Sequence, residues 1–330
     1  MLRLVFGNED VQRVRLASDA DLMWELVLSL QMAQETQVPV SFMVWRQHLG
    51  QCAKEADGQW HAMAPLRSLV AVSGDFPDFL TPHDSTSDID VACELLSSVS
   101  SARLGADAAA VFTSRAPSPW ARSLVRADRG ALVDLVGATR AAYHLLLEPM
   151  WKQVCERVAT ERARRASVLS TQGVGALLAG LPGVLGWDGR VLQTRYPVTR
   201  TVHLNGRGIV LMPSYFCWGN PITWIDPTLP PVLVYQAHQR GDTSHVEVEV
   251  PRSLVSLLGR TRAECLRVLL DSRSTSELAQ HLGTSVGTAS KQTTVLRDAG
   301  LITSTRAGGS VRHRTTALGR ALLAGTFTRS

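Results

Sequence analysis

Between Thr275 and Ile302 the chain reads TSELAQHLGTSVGTASKQTTVLRDAGLI, and two glycines cut this stretch into two short helices. Leu278, Ala279 and Leu282 fall three to four residues apart, so the first helix carries one apolar stripe, with Glu277 and Gln280 pointing elsewhere. Gly283 predicts its end, because glycine takes the left-handed conformation of a helix stop at no steric cost. Ser285 is placed as N-cap of a second helix running to about Ala299, which Gly300 closes. Two helices joined by so short a turn can lower the second one into a groove.

The faces of that second helix follow from a rotation of about 100° per residue. Ala289, Thr293 and Leu296 share an inward face, whereas Gly287, Lys291 and Thr294 fall opposite, flanked by Thr288 and Ser290. The outward face is small and polar with one cation, as suits a surface that approaches base edges of DNA closely. Lys291 is one of only three lysines, with Lys54 and Lys152. After Ile302, two β-prone runs flank Ala307-Gly308-Gly309-Ser310, a tight-turn signal. Arg306, Arg312, His313 and Arg314 crowd this hairpin. A cationic hairpin after such a helix reads as a wing on phosphates or the minor groove. The same arginines also read as plain solvated surface, since arginine outnumbers lysine 31 to 3 throughout. Charge favours the wing: residues 252–330 carry 12 basic and 4 acidic residues, against 22 and 25 in residues 1–251. The net charge of +5 therefore arises wholly at the C-terminal end, a local footprint of the kind phosphate attraction requires.

LLGRTRAECLRVLL, SELAQHLGTS and TASKQTTVLRDAGLI, followed by the basic hairpin, come in order over Leu254–Leu322. Together they resemble an ArsR-type winged-helix transcriptional regulator. The resemblance implies DNA-facing positions at Gly287, Thr288, Ser290 and Lys291, with the Arg306–Arg314 hairpin as the wing. Ser285, Thr294, Arg312 and His313 join them as expected contacts. It also implies a homodimer on a pseudo-palindromic operator, recognition helices in successive major grooves about 34 Å apart. Thr293 departs from the family's large apolar residue and predicts looser helix packing. Metal-sensing members carry a cysteine pair on the first helix of the motif, where this chain has Thr275, Ser276 and Glu277. The five cysteines, Cys52, Cys93, Cys155, Cys217 and Cys265, are scattered and read as buried reduced thiols, so neither metal nor cofactor is expected. Less specifically, DVQRVRLA, LMWELVLSL and HLNGRGIVLMPS resemble the opening of long actinobacterial members, whose N-terminal domain has no settled function.

The expected fold class is α+β. A mainly helical domain is expected over residues 1–183, an antiparallel β segment packed with it over 184–251, and the winged helix-turn-helix over 252–330. Helices are placed at Asp19–Ala33 (amphipathic, through Leu22, Leu26, Ser29 and Leu30), from Asp90 to Gly105 (burying Val91, Leu95 and Val99), at Ala131–Leu147, and from Pro149 to about Ser170. Glu161–Arg165 is read as a solvated helix face. Asn205-Gly206 between RYPVTRTVHL and GRGIVLMPSYF predicts a β-hairpin, with further strands at Pro231–Tyr235 and His245–Val250. Pro251-Arg252 is too short a junction for a loose linker. Trp187, Tyr196, Tyr215, Phe216, Trp218 and Trp224 read either as strand core or as the lining of a pocket for a planar effector. His203, His238 and His245 are isolated and read as structural. Asp75/Asp78 and Asp88/Asp90 lie in segments that look like surface loops.

No signal peptide is legible, and the longest uncharged apolar run, Gly173–Trp187, is too short and broken to span a membrane. A cytoplasmic location is expected. Phosphate-cradling, dinucleotide, zinc-protease and nucleophile-elbow motifs are all missing, so no enzyme is expected. The rival expectation is a small-molecule-binding protein or enzyme whose winged helix contacts protein.

Overall fold

The computed structural model describes residues 1–35, 39, 42, 45–50, 57–72, 74–84, 86–112, 116–126, 128–196, 198–237, 252–270, 273–307 and 310–324. The expected strand at His245–Val250, the Pro251 junction, the Gly308-Gly309 turn, Cys52, His238 and the side chain of Arg306 lie outside the described residues. Among the described residues the protein is mixed α and β, mostly helical with three small sheets. It divides into two units, Met1–Val38 with Val44–Gln239, and Pro39–Met43 with Arg240–Ser330.

The large unit opens with β1 (Leu2–Val5), α1 (Asn8–Gln12) and β2 (Val14–Leu16). α2 (Leu22–Gln34) follows, N-capped by Asp21, whose carboxylate accepts from the Trp24 amide at 3.0 Å. It is not the amphipathic helix expected: every residue from Leu22 to Leu30 is buried, because other elements cover it all round. The helix expected from Asp90 to Gly105 is two helices, α3 (Ile89–Ser97) capped by Asp88 and α4 (Ser101–Val111) capped by Ser100. The serines at 97–101 compete for backbone groups and restart the chain there. α3 buries Ala92, Cys93 and Leu96, whereas Val91 is exposed. Beyond α5 (Pro119–Val125) and α6 (Arg129–Ala142), a turn containing Pro149 leads into α7 (Trp151–Ala179), kinked at Gly173 where φ is 83°. The solvated face expected at 161–165 needs correction. Glu161 and Arg165 are buried and paired at 2.6 Å, and Arg165 also donates to the Gly180 carbonyl at 2.7 Å. The one-turn spacing that suggested a surface pair serves equally well inside.

β3 (Val184–Trp187), β4 (Val191–Thr194), β5 (Arg200–His203), β6 (Ile209–Ser214) and β7 (Val232–Gln236) complete the unit. The expected antiparallel meander is replaced by two sheets that recruit the chain's first residues. β1 lies inside the order β3-β4-β1-β5, antiparallel to β4 and parallel to β5. β2 lies at one edge of β2-β6-β7, parallel throughout. Ile209 and Leu211–Ser214 on β6 and Val232–Tyr235 on β7 are buried with almost no alternation, the pattern of strands covered on both faces. Asn205-Gly206 is therefore no hairpin. Both residues have positive φ, 54° and 78°, as the tight turn demands, but β5 and β6 pair with different sheets. The segment β5-turn-β6 runs beside β1-α1-β2, and the two cross between sheets together. Asp10 stitches the crossing, accepting from the amides of Gly7 at 2.7 Å and Gly208 at 2.9 Å. Gly208 has φ 68°, and a Cβ there would stand 2.4 Å from both Arg13 Cβ and the Arg13 carbonyl oxygen.

The small unit holds α8 (Arg252–Leu258), α9 (Arg260–Val268), β8 (Arg273–Ser274), α10 (Thr275–His281), α11 (Val286–Asp298), β9 (Ile302–Ala307), β10 (Ser310–Thr315) and α12 (Ala317–Ala324). The stretch LLGRTRAECLRVLL is not one helix, because α8 and α9 are separated at Gly259, where φ is 80°. Leu254, Leu266, Leu269, Leu278, Leu296, Ile302 and Leu323 form its core. The three strands order as β8-β10-β9.

Candidate nucleic-acid interface

The site grows from two helix starts. Ser274 caps α10 by accepting from the Glu277 amide at 3.2 Å, and the Glu277 carboxylate accepts from the Ser274 amide at 2.7 Å. This reciprocal capping fixes where α10 begins. Leu278 and Ala279 face the core, and Gly283 takes the left-handed stop with φ 60°. Two residues later Ser285 caps α11, accepting from the Thr288 amide at 3.1 Å. Ala289, Thr293 and Leu296 are buried on the inward face, as the rotation predicts. Thr293 meets its inward position by donating its hydroxyl to the Ser290 carbonyl at 2.9 Å, so the buried oxygen is not left unpaired.

Ser285, Gly287, Ser290, Lys291 and Thr294 are exposed on the opposite side. Thr288 is half-buried, its hydroxyl 2.9 Å from that of Ser285. Thr294 donates to the Ser290 carbonyl at 3.0 Å. A Cβ built on Gly287 would meet only the Ser285 hydroxyl, at 3.9 Å, so the fold does not require glycine there. Sequence reasoning passed over Val286 and Val295, which stand 52% and 44% exposed on the flanks of this face. An apolar residue directly after an N-cap, out of phase with the inward stripe, was the available signal.

β9 packs against α11 and pairs antiparallel with β10, from Ile302↔Thr315 to Ala307↔Ser310. Arg314 is exposed and Arg312 half-buried, with Arg312 Nη2 3.7 Å from a Glu277 carboxylate oxygen. His313 does not join them. It is 5% exposed, its ring between the hydroxyls of Thr275 (2.9 Å from Nε2) and Ser304 (2.8 Å from Nδ1). Side chains alternate across a strand, so Arg312 and Arg314 outward require His313 inward. Burial, helped by the Arg297 charge, holds its pKa below the ordinary imidazole value. Glu277 titrates below the usual carboxylate range, chiefly because the Ser274 amide donates to it, with Arg312 and Arg273 adding. β8 was not foreseen. It lays Arg273 and Ser274 against His313 and Arg312, joining the hairpin to the start of α10.

Among the buried carboxylates of the large unit, Glu25 and Asp78 have strongly raised pKa values. Glu25 is 1% exposed and accepts from the Tyr215 amide at 2.7 Å, the Phe216 amide at 3.0 Å and the Ser214 hydroxyl at 3.1 Å. Burial outweighs these donors and pushes its pKa up to about 7. Asp78, expected on a surface loop, is buried instead, and accepts from the amides of Ile225 at 3.0 Å and Asp226 at 2.7 Å. Its pKa is pushed up to about 6 by the same cause. Of the aromatic group, Tyr215, Phe216 and Trp224 are core, Trp187 and Tyr196 half-buried, and Trp218 exposed. Tyr196 borders a pocket of about 40 Å³ with Phe76 and Ile222, far below the roughly 300 Å³ that a small-molecule ligand occupies. His203 is exposed. Cys93, Cys217 and Cys265 are buried free thiols, and Cys155 is partly so.

Among the described residues no helix is long and apolar enough to cross a membrane. Compared with models of known families, with curated proteins and with solved structures, the chain finds no match.

Proposed function

We propose that the small unit is a winged helix-turn-helix that binds double-stranded DNA, and that the chain is an ArsR-like transcriptional regulator. One observation carries this reading: a capped helix whose inward face is fully used turns a short-side-chained face with Lys291 to solvent. A cationic strand carrying Arg312 and Arg314 belongs to the hairpin packed beside it. Ser285, Gly287, Thr288, Ser290, Lys291 and Thr294 would line the major groove, while Arg306, Arg312 and Arg314 would hold the backbone. His313 leaves the contact list because its ring is engaged inside. The protein would act in the cytoplasm as a homodimer on a two-fold site, without catalysis and without a bound cofactor. A small-molecule effector that favoured one inter-protomer geometry would change operator affinity by its differential affinity.

Gel-shift titrations on genomic duplexes test the assignment. Lys291→Ala is expected to weaken binding and narrow the gap between preferred and random sequences. Arg312→Ala is expected to weaken binding to all sequences alike. If both variants bind as the wild type does, the assignment is wrong.

A further inference from the structure

We infer that His313 and Thr275 are positioning residues that hold the β9–β10 hairpin at the angle its arginines need to meet a duplex. This deepens the DNA-binding reading and rests on it. Contacts of several kinds join β10 to β8 and to the first residues of α10. The backbones of Arg312 and Ser274 and of His313 and Arg273 pair across β8, Arg312 faces Glu277 at 3.7 Å, and the His313 ring meets the Thr275 hydroxyl at 2.9 Å. The first two sit near the surface, where water competes for them. The third is part-buried, on a residue only 5% exposed, and the same ring meets Ser304 on β9 at 2.8 Å. One imidazole therefore spans β9, β10 and the start of α10, and no aliphatic residue of that size could bond to both hydroxyls. A two-stranded hairpin has little stability of its own. Its orientation relative to α11 comes from what clamps it: Thr315 at the base of β10, whose buried hydroxyl donates to the Leu266 carbonyl at 2.8 Å, and this ring at the start of α10.

The test uses the full-length chain and a random 30-base-pair duplex as probe, with affinity followed against salt. Thr275→Val removes one hydroxyl and keeps the shape, and Thr275→Ser restores the hydroxyl. If the clamp sets the wing, Thr275→Val makes the salt dependence shallower by up to about two in log–log slope, the share of Arg312 and Arg314 at about 0.9 each, and Thr275→Ser restores it. A merely structural loss would lower the binding-competent fraction equally at every salt and leave the slope alone. Hydrogen exchange on the free protein gives a second readout. β9 and β10 amides in Thr275→Val should exchange roughly tenfold faster, with those of α11 unchanged. A wild-type slope in Thr275→Val, or uniform exchange changes across the small unit, overturns the positioning role. A wild-type chain that ignores duplex DNA overturns the DNA reading itself, and the positioning role with it.

Discussion

Gly287→Ala should raise stability and lower DNA affinity, two effects of opposite sign from one methyl group. Gly287 lies in the first turn of α11 at a negative φ, and a new Cβ would meet nothing closer than the Ser285 hydroxyl at 3.9 Å. The fold gains what glycine forfeits in a helix, about 0.5–1 kcal/mol. For a unit of this size that amounts to roughly 2–8 °C in Tm. The duplex loses, because the methyl stands where the helix backbone would come closest to the groove. Displacing a well-placed base contact costs about 1–3 kcal/mol, or roughly fivefold to more than a hundredfold in affinity. Calorimetry and anisotropy titrations on one preparation measure both. A variant that melts higher yet binds the duplex with unchanged affinity would show that the outward face of α11 touches no DNA.

The pH response of the large unit follows from Glu25. Its folded pKa, about 7, lies above the ordinary 4.5, so its contribution is full below pH 4.5 and lost as pH rises through 7. That displacement corresponds to about 3 kcal/mol. Denaturant unfolding at pH 5 and pH 8 should show wild type losing stability that Glu25→Gln, neutral throughout, retains; equal losses would contradict it. Asp78, raised to about 6, acts in the same direction over a lower range. Gly208→Ala should destabilise the large unit by more than 3 kcal/mol, because its Cβ collides with Arg13 in a left-handed conformation. Circular dichroism melts check this, and a near-wild-type melt would refute it.

The small unit was legible because its signals are local. Ser285, Gly283 and Gly300 act within a few residues of themselves, so cap and stop chemistry alone placed α10 and α11 to within about two residues. The large unit depends on pairings between its first residues and residues of the strands after α7. Leu2 sits beside Arg200 and Val14 beside Ile209, and nothing in a four-residue run such as LRLV says which strand will adopt it. Asn205-Gly206 shows the limit sharply: it does form a tight turn, but a tight turn does not choose the sheets on either side, and the expected hairpin is absent there. Glu25 was invisible for the same reason, since its donors lie at residues 214–216. His313 differs. Strand alternation alone would have turned it inward once Arg312 and Arg314 were placed outward, so that misplacement came from weighing charge above periodicity.

Affinity for double-stranded DNA as a function of salt tests the central claim most directly. If Arg312 and Arg314 each neutralise one phosphate, log affinity should fall with log salt at a slope of about −2 or steeper per protomer, doubling on a two-fold site. Arg312→Ala should lose about one from each protomer's slope. Affinity that is absent at the lowest salt, or that stays flat as salt rises, would contradict the account.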